Sequence, residues 1–281
     1  MSSFYHVLVG DSRLVARPRG RFKIRSQDVL AGDRVTVCIA EDGMGYIDSV
    51  EERRNCLVRP PVANIDQACV VFTYRDPPLV PELIDRILVH TGVVGVSPLL
   101  VLNKADLMSA EEVDTVLEMY SHLSCPLFVT SAVVGTGVDV LRAQLAAKTS
   151  VMVGQSGVGK SRLLNALVPG AGRSTQEVSR KVRRGRHTTR HVELISISDG
   201  FIADTPGFSL LEPVKVSPWE LSAFFEEIHA VEHSCRFTDC LHRDEPGCAV
   251  KDAVRDGRIP VSRYENYLTM LSEAETESRR Y

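Results

Sequence analysis

The sequence lacks several features that would each narrow its class. No uninterrupted apolar stretch approaches the roughly 20 residues that a membrane-spanning helix needs. The N-terminus lacks the basic segment and long apolar run of a secretory signal. Neither sign of charge dominates, because the formal net charge is only -3. We therefore expect a cytoplasmic protein without membrane contact, in which any nucleic-acid binding depends on local patches of charge.

The composition is that of a soluble globular protein. Apolar residues make up 44% and charged residues 25% of the 281 positions, which allows two or three small domains. Four of the seven cysteines are scattered and are expected to be small buried hydrophobic residues. The other three cluster around His242 and need a separate explanation.

The pattern along the chain predicts three domains. Residues 1–62 contain short strands separated by glycine turns, which indicates a small β-barrel. Strands alternate with amphipathic helices over 63–211, which favours a parallel α/β sheet. Residues 212–281 are mainly helical, with the Cys/His-rich segment between helices and a predicted helix over 224–233. The first 27 residues carry six basic side chains against one acid; this segment is either an RNA-binding face or a solvated basic face.

A phosphate-binding loop follows an apolar strand and precedes a helix. The segment GQSGVGKS fits G-x4-G-K-[ST] in the strand–loop–helix context that the motif requires. Lys160 can reach the β- and γ-phosphates, and the Ser161 hydroxyl can ligate Mg²⁺. The residues expected to contact the nucleotide are Gly154, Gln155, Ser156, Gly157, Val158, Gly159, Lys160, Ser161 and Arg162. A chance match is the alternative.

A base-reading motif, NKAD, lies just after the apolar run PLLVL. The Asp106 carboxylate can accept hydrogen bonds from guanine N1–H and its 2-amino group, donors that adenine lacks there, so the motif selects GTP and GDP over ATP. The Lys104 stem can cover the base, and Asn103 can tie loops together. Ser131 and Ala132 fit the companion loop whose backbone N–H groups meet guanine O6.

The sequence DTPG supplies the magnesium and γ-phosphate motif. Asp204 would hold Mg²⁺ through a water, and the Gly207 N–H would sense the γ-phosphate. Between this motif and the phosphate loop lies RKVRRGRHTTR, in which Thr188 or Thr189 is the expected Mg²⁺ ligand; we favour Thr189. In ordinary switch GTPases the motifs occur in the order phosphate loop, threonine, DxxG, NKxD and SA. In this chain NKxD and SA come before the phosphate loop, the threonine and DTPG. The motif order therefore predicts a circularly permuted GTPase domain.

Phe208 occupies the position at which many GTPases carry a water-orienting glutamine. An apolar ring cannot position water, so we expect slow intrinsic hydrolysis that another group completes. His187 is the local candidate; contact with RNA or solvent is its alternative role.

The C-terminal cluster has the spacing of a structural zinc site. Cys235, Cys240, His242 and Cys248 supply three thiolates and one imidazole within 14 residues. Zn²⁺ binds such a set tetrahedrally, and a closed set of four protein ligands is structural rather than catalytic. A cluster of reduced thiols is the alternative.

With these motifs, the chain resembles the ribosome small-subunit-dependent GTPase A family (RsgA, also called YjeQ). The resemblance runs over nearly the whole chain, through NCLVRPPVANIDQ, NKAD, GQSGVGKS, RGRHTT, DTPGF, CRFTDCLHRDEPGCAVKDAV and RYENY. It implies an N-terminal OB-fold that binds RNA, a permuted P-loop GTPase domain and a C-terminal helical zinc domain. Arg190 stands where many relatives have a third threonine.

The resemblance also implies the function. The family acts late in maturation of the 30S ribosomal subunit, and the subunit stimulates GTP hydrolysis. We accordingly expect a monomer that binds 30S through 16S rRNA, with one structural Zn²⁺ per chain and Mg²⁺ bound with GTP or GDP. The alternative is a GTP-gated RNA-binding switch whose target is not 30S.

Overall fold

The computed structural model describes residues 4–10, 12–19, 28–41, 43–58, 60–169, 192–204 and 215–279. The chain divides into two compact units, Met1–Ile65 and Asp66–Tyr281.

The N-terminal unit is built from strands. Its four-stranded sheet has the order β1-β2-β4-β3, in which the β2–β4 pair is parallel and the other two pairs are antiparallel. Strands β5 and β6 form a separate antiparallel pair. This all-β unit agrees with the predicted N-terminal β domain. The strands are β1 Tyr5–Val9, β2 Ser12–Pro18, β3 Val35–Ile39, β4 Gly45–Val50, β5 Cys56–Leu57 and β6 Val62–Ala63.

A six-stranded sheet with the order β11-β12-β10-β7-β8-β9 forms the centre of the second unit. Strand β7 is buried at every position, as expected for a central parallel strand covered on both faces. The sequence correctly predicts parallel pairing among five strands, but β11 and β12 are antiparallel because a tight turn at Ser198 joins them directly. The strands are β7 Gln67–Phe72, β8 Ser97–Leu102, β9 Leu127–Val129, β10 Thr149–Val153, β11 Glu193–Ile197 and β12 Gly200–Asp204.

Within the described residues, four helices flank this sheet. Helix α2 begins with a capping box, because the Ser109 side chain accepts from the Glu112 N–H and the Glu112 carboxylate accepts from the Ser109 N–H. Helices α3 and α4 bury leucines in one core with the sheet. Only three residues separate α3 from β10, the short join that the permuted order requires. The helices are α1 Pro81–Val93, α2 Ala110–Tyr120, α3 Val138–Leu145 and α4 Lys160–Leu167.

The C-terminal part of this unit is helical, as predicted. The predicted helix over 224–233 is wrong in its first turn: a 3-10 turn, Leu221–Phe224, comes first, and Phe225 is extended before α5 begins. Phe225 leaves the helix because its ring is fully buried against Tyr267, with the ring centroids 5.4 Å apart. The helices are α5 Glu226–Glu232, α6 Ala249–Arg255 and α7 Val261–Ser278.

Helix α1 joins the sheet region to the C-terminal helices. Its Val89 belongs to the C-terminal core, and its fully buried Asp85 is paired with Arg263 of α7. The Arg263 guanidinium also donates to both carboxylate oxygens of Glu227, at 2.5 and 3.0 Å. A second ion pair joins Arg86 to Glu273, at 2.5 Å. A buried charge network therefore fixes α7 and α5 against α1.

Candidate functional site

The phosphate loop lies at the carboxyl end of β10, which is the third strand of the sheet. Ligands of open α/β sheets bind at this edge. The Lys160 ammonium donates to the carbonyl oxygens of Gly154 and Gln155, at 2.7 and 2.8 Å. Helix α4 begins at Lys160, so the positive end of its dipole faces the loop. The predicted phosphate residues thus form one continuous loop around the α4 N-terminus.

Two glycines of this loop are required by close contacts. Gly154 has φ +139°, and a Cβ atom there would lie 2.0 Å from the Val71 carbonyl oxygen of the neighbouring strand. Gly159 has φ +92°, and its Cβ would lie 2.7 Å from the Asn103 side-chain nitrogen. Any larger residue would displace β7 or the base-reading motif.

Asn103 holds three loops together. Its Nδ2 donates to the Val158 carbonyl oxygen at 2.9 Å, and its Oδ1 accepts from the Thr130 hydroxyl at 3.2 Å and the Ala132 N–H at 3.3 Å. The side chain is 1% exposed, so these contacts replace hydration that burial removes. The phosphate loop, NKAD and the Ser131–Ala132 loop therefore meet at one residue.

The Asp106 carboxylate, which is predicted to read the base, is held by a neighbouring loop. The Ser131 hydroxyl donates to Asp106 Oδ1 at 2.5 Å and accepts from the N–H groups of Val133 and Val134. Asp106 itself is exposed, so its second oxygen remains accessible to a base. From the sequence we expect the backbone N–H groups of the Ser131–Ala132 loop to meet the base. The structure adds a contact of the Ser131 hydroxyl with Asp106.

Lys104 has a partner that no sequence motif marks. Its Nζ lies 2.7 Å from the Asp76 carbonyl oxygen and 3.4 Å from the Asp76 carboxylate. Lys104 also has φ +63°, an uncommon conformation for a lysine. The loop after β7 thereby fixes the side chain that is expected to cover the base.

The remaining nucleotide motifs are described only in part. Strand β12 pairs in parallel with β10 and ends at Asp204, so the start of DTPG lies at the same sheet edge as the phosphate loop. The other predicted switch residues lie outside the described residues: His187, Thr188, Thr189, Gly207 and Phe208. Of the six basic residues near the N-terminus, Arg21, Lys23 and Arg25 also lie outside them.

The four predicted metal ligands converge. The ligand atoms of Cys235, Cys240, His242 and Cys248 all lie within 4.8 Å of one another. His242 Nδ1 is 3.6 Å from the sulfurs of both Cys235 and Cys248, which are 3.9 Å apart. Tetrahedral Zn²⁺ with ordinary bond lengths needs edges of about 3.8 Å between sulfurs and about 3.5 Å from sulfur to nitrogen. The residues therefore fit zinc.

Burial shifts the pKa values of two of these side chains. It lowers the pKa of His242, which keeps the imidazole neutral, the form that ligates metals. It raises the pKa of Cys240 to about 12, so a bound cation is what would stabilise the thiolate. Behind the cluster, Glu232 lies 3.5 Å from His242 Nε2, the nitrogen that faces away from the ligand set.

Backbone contacts hold the metal-site loop in shape. The Tyr264 and Tyr267 hydroxyls of α7 donate to the carbonyl oxygens of His242 and Leu241, at 2.6 and 3.1 Å. The Glu245 carboxylate accepts from the N–H groups of Leu241, Arg243 and Asp244. Sequence reasoning missed Glu232 and Glu245 as supports, although an acid close to a Cys/His cluster was a usable signal.

Among the described residues, no helix is both long and apolar enough to cross a membrane.

Comparison with known proteins agrees with this arrangement. The family model of the RsgA GTPase matches residues 50–213, and that of the RsgA N-terminal domain matches residues 1–47. The chain is 42% identical to the small ribosomal subunit biogenesis GTPase RsgA of Halalkalibacterium halodurans, covering 100% of this chain and 96% of that protein. It is 45% identical to the protein of the same name from Moorella thermoacetica, covering 99% and 96%.

Solved structures give the same result. YjeQ from Thermotoga maritima superposes with a TM-score of 0.82 at 37% identity, over 96% of this chain and 93% of that one. YloQ, described as a circularly permuted GTPase, superposes with a TM-score of 0.81 at 36% identity, over 99% of this chain and 93% of that one. The predicted permutation is thereby confirmed, and the chain belongs to the RsgA GTPase family.

Proposed function

We propose that this protein hydrolyses GTP in the service of small ribosomal subunit biogenesis, with the 30S subunit and its 16S rRNA as partners. The choice of 30S as partner is supported by relatives that match over nearly their whole length and are named small ribosomal subunit biogenesis GTPases. The observation that most supports binding of a guanine nucleotide is the buried Asn103 side chain, which joins the predicted base-reading loops to the phosphate loop. A binding site for one guanine nucleotide, rather than separate loops, follows from this junction.

Each described residue has a defined task in this proposal. Asp106, oriented by Ser131, accepts hydrogen bonds from guanine, and the Ala132 N–H lies beside it on the companion loop. The Lys160 ammonium is held by two neutral carbonyl oxygens. Charged phosphate oxygens are stronger acceptors, so the phosphates of a bound nucleotide can replace these carbonyl oxygens as partners of the Lys160 ammonium. The N–H groups of Gly154 to Arg162 complete the phosphate site.

We assign Ser161, Thr189 and Asp204 to Mg²⁺, with Ser161 and Thr189 as direct ligands. Mg²⁺ would neutralise charge on the β- and γ-phosphates. Gly207 would sense the γ-phosphate. Cys235, Cys240, His242 and Cys248 would hold one structural Zn²⁺, for which their spacing is suited.

The proposal expects subunit-dependent catalysis. Phe208 cannot orient the attacking water, so intrinsic turnover should be slow and either His187 or a group of the subunit should position that water. We expect tighter 30S binding in the GTP state than in the GDP state, because DTPG is followed directly by the C-terminal domain.

The test is a GTPase assay with purified 30S, purified 50S or protein-free rRNA. We expect 30S to stimulate turnover and the other additions to do so much less. Stimulation of turnover by 50S or by protein-free rRNA equal to that by 30S would favour an RNA-binding switch with another target. Affinity for 30S should be compared with GDP and with a non-hydrolysable GTP analogue at fixed salt. Equal affinity for 30S with GDP and with the GTP analogue would contradict the proposal that the bound nucleotide controls subunit binding.

A further inference from the structure

A groove of about 930 Å³ lies between the end of helix α1 and the C-terminal helices. It is lined by Val93 of α1, by the segment from Lys215 to Phe224, by Thr238 to Cys240 of the metal-site loop, and by the end of α7. We call it the Trp219 groove. The nucleotide-binding residues described above are not among those that line it.

The groove contains an exposed tryptophan beside smaller apolar side chains. Trp219 is the only tryptophan in the sequence, and 62% of it is exposed. Val93, Val216 and Phe224 lie along the same groove. Tryptophan is one of the residues most enriched at the centres of protein–protein contacts, so the exposed Trp219 ring is a candidate contact residue.

The charge of the groove indicates which partner fits. Four carboxylates line it, those of Glu220, Glu232, Asp239 and Glu277, against the single ammonium of Lys215. The Glu232 carboxylate is paired with His229, at 2.6 Å, and also lies 3.5 Å from His242, whereas Glu220 and Asp239 are exposed. Such a surface repels phosphate groups and attracts cations. The open indole face of Trp219 can also stack on a guanidinium or ammonium group.

We propose that the Trp219 groove binds an arginine- and lysine-rich segment of a partner protein, with one cationic side chain stacked on Trp219 and its neighbours paired with Glu220 and Asp239. The aliphatic stems of such side chains can cover the apolar floor while their charges meet the rim. This inference concerns a protein partner and does not depend on the proposed action at the small ribosomal subunit.

Trp219 itself can report the binding, because no other tryptophan contributes fluorescence. The full chain is titrated with an amidated nonapeptide of six arginines and three leucines at physiological ionic strength. We expect a saturable change in Trp219 emission. The double variant Glu220→Lys/Asp239→Lys should weaken the peptide about tenfold or more, because the attraction at the rim becomes repulsion.

The matched control is Glu118→Lys/Glu265→Lys, which changes the net charge equally at two exposed positions outside the groove. It should retain nearly the affinity of the unaltered chain. Equal affinities for all three proteins would show only general attraction of a polycation and would overturn the proposal. A nonamer of oligouridylate that shifts Trp219 emission more tightly than the peptide does would assign the groove to RNA and overturn it as well. Absence of any response of Trp219 to the peptide would have the same consequence.

Discussion

Asn103 Nδ2 lies 2.9 Å from the carbonyl oxygen of Val158, so a buried side chain of the base-reading motif bonds directly to the phosphate loop. The two residues are 55 positions apart in the sequence. Because the same side chain also meets Thr130 and Ala132, the relative positions of three nucleotide-binding loops depend on one amide group.

Replacing Asn103 by alanine should therefore impair both binding and stability. The Val158 carbonyl and the Ala132 N–H would lose their partner in a buried site, which costs about 1–3 kcal/mol of unfolding free energy. Affinity for GDP should fall about tenfold or more as the loops lose their common anchor. Fluorescent-nucleotide titration and urea unfolding measure the two effects. Ser121→Ala, which removes an exposed hydroxyl bonded to Glu118, should change neither.

Asp106→Asn should alter base preference. An amide in place of the carboxylate presents a donor, which suits the 2-oxo group of xanthine better than the 2-amino group of guanine. We expect weaker GDP binding, a gain for xanthosine diphosphate and retention of the fold. Competition between the two nucleotides measures the change. Asp114→Asn, on the exposed side of α2, is the control; a similar shift there, or ATP competing equally with GTP in the unaltered chain, would contradict the assignment of Asp106.

Zinc binding should depend on Glu232. Elemental analysis should find one zinc per chain, and its removal should unfold the C-terminal helices while the GTPase sheet persists, because structural zinc supplies folding energy. Glu232→Gln weakens the support of the His242 imidazole and should lower zinc affinity about 10- to 100-fold. Competition with a chromogenic chelator measures the affinity, and Glu265→Gln is the matched control. Cys235 and Cys248 reacting freely with an alkylating agent in the native protein would argue against the site.

Arg263→Met should destabilise the contact between α1 and the C-terminal helices by about 3–5 kcal/mol, because Asp85 and Glu227 would remain buried without their cation. Arg255→Met removes a guanidinium that is 76% exposed and should cost well under 1 kcal/mol. Urea unfolding followed by Trp219 fluorescence reports this part of the second unit. Adding Asp85→Asn to Arg263→Met should restore part of the loss; a double variant no more stable than Arg263→Met would show that packing, not charge, holds the contact.

The places of the candidate sites in the fold were predictable because each site lies in a short motif. The loop from Gly154 to Ser161, the motif at Asn103 and the Cys/His cluster each follow a strand or helix signal and need only local spacing. The contacts that join them were not predictable. Asp85 and Arg263 are 178 residues apart and have no periodic or compositional signature. Phe225 was misplaced in a helix because helical propensity was outweighed by burial of its ring against Tyr267.

The strand order has a consequence for a chain emerging from the ribosome. Of the strands of the six-stranded sheet, β7, β8 and β9 are synthesised first, and these three are neighbours in that sheet. Strand β10 then adds to the free edge of β7, and the β11–β12 hairpin adds to β10. Among the strands that the structure describes, each addition is therefore at an edge of the nascent sheet, and none is inserted between two earlier strands. A chain released only to residue 148 thus has its guanine-reading loops but no phosphate loop, so discrimination between bases is encoded before affinity for the nucleotide exists.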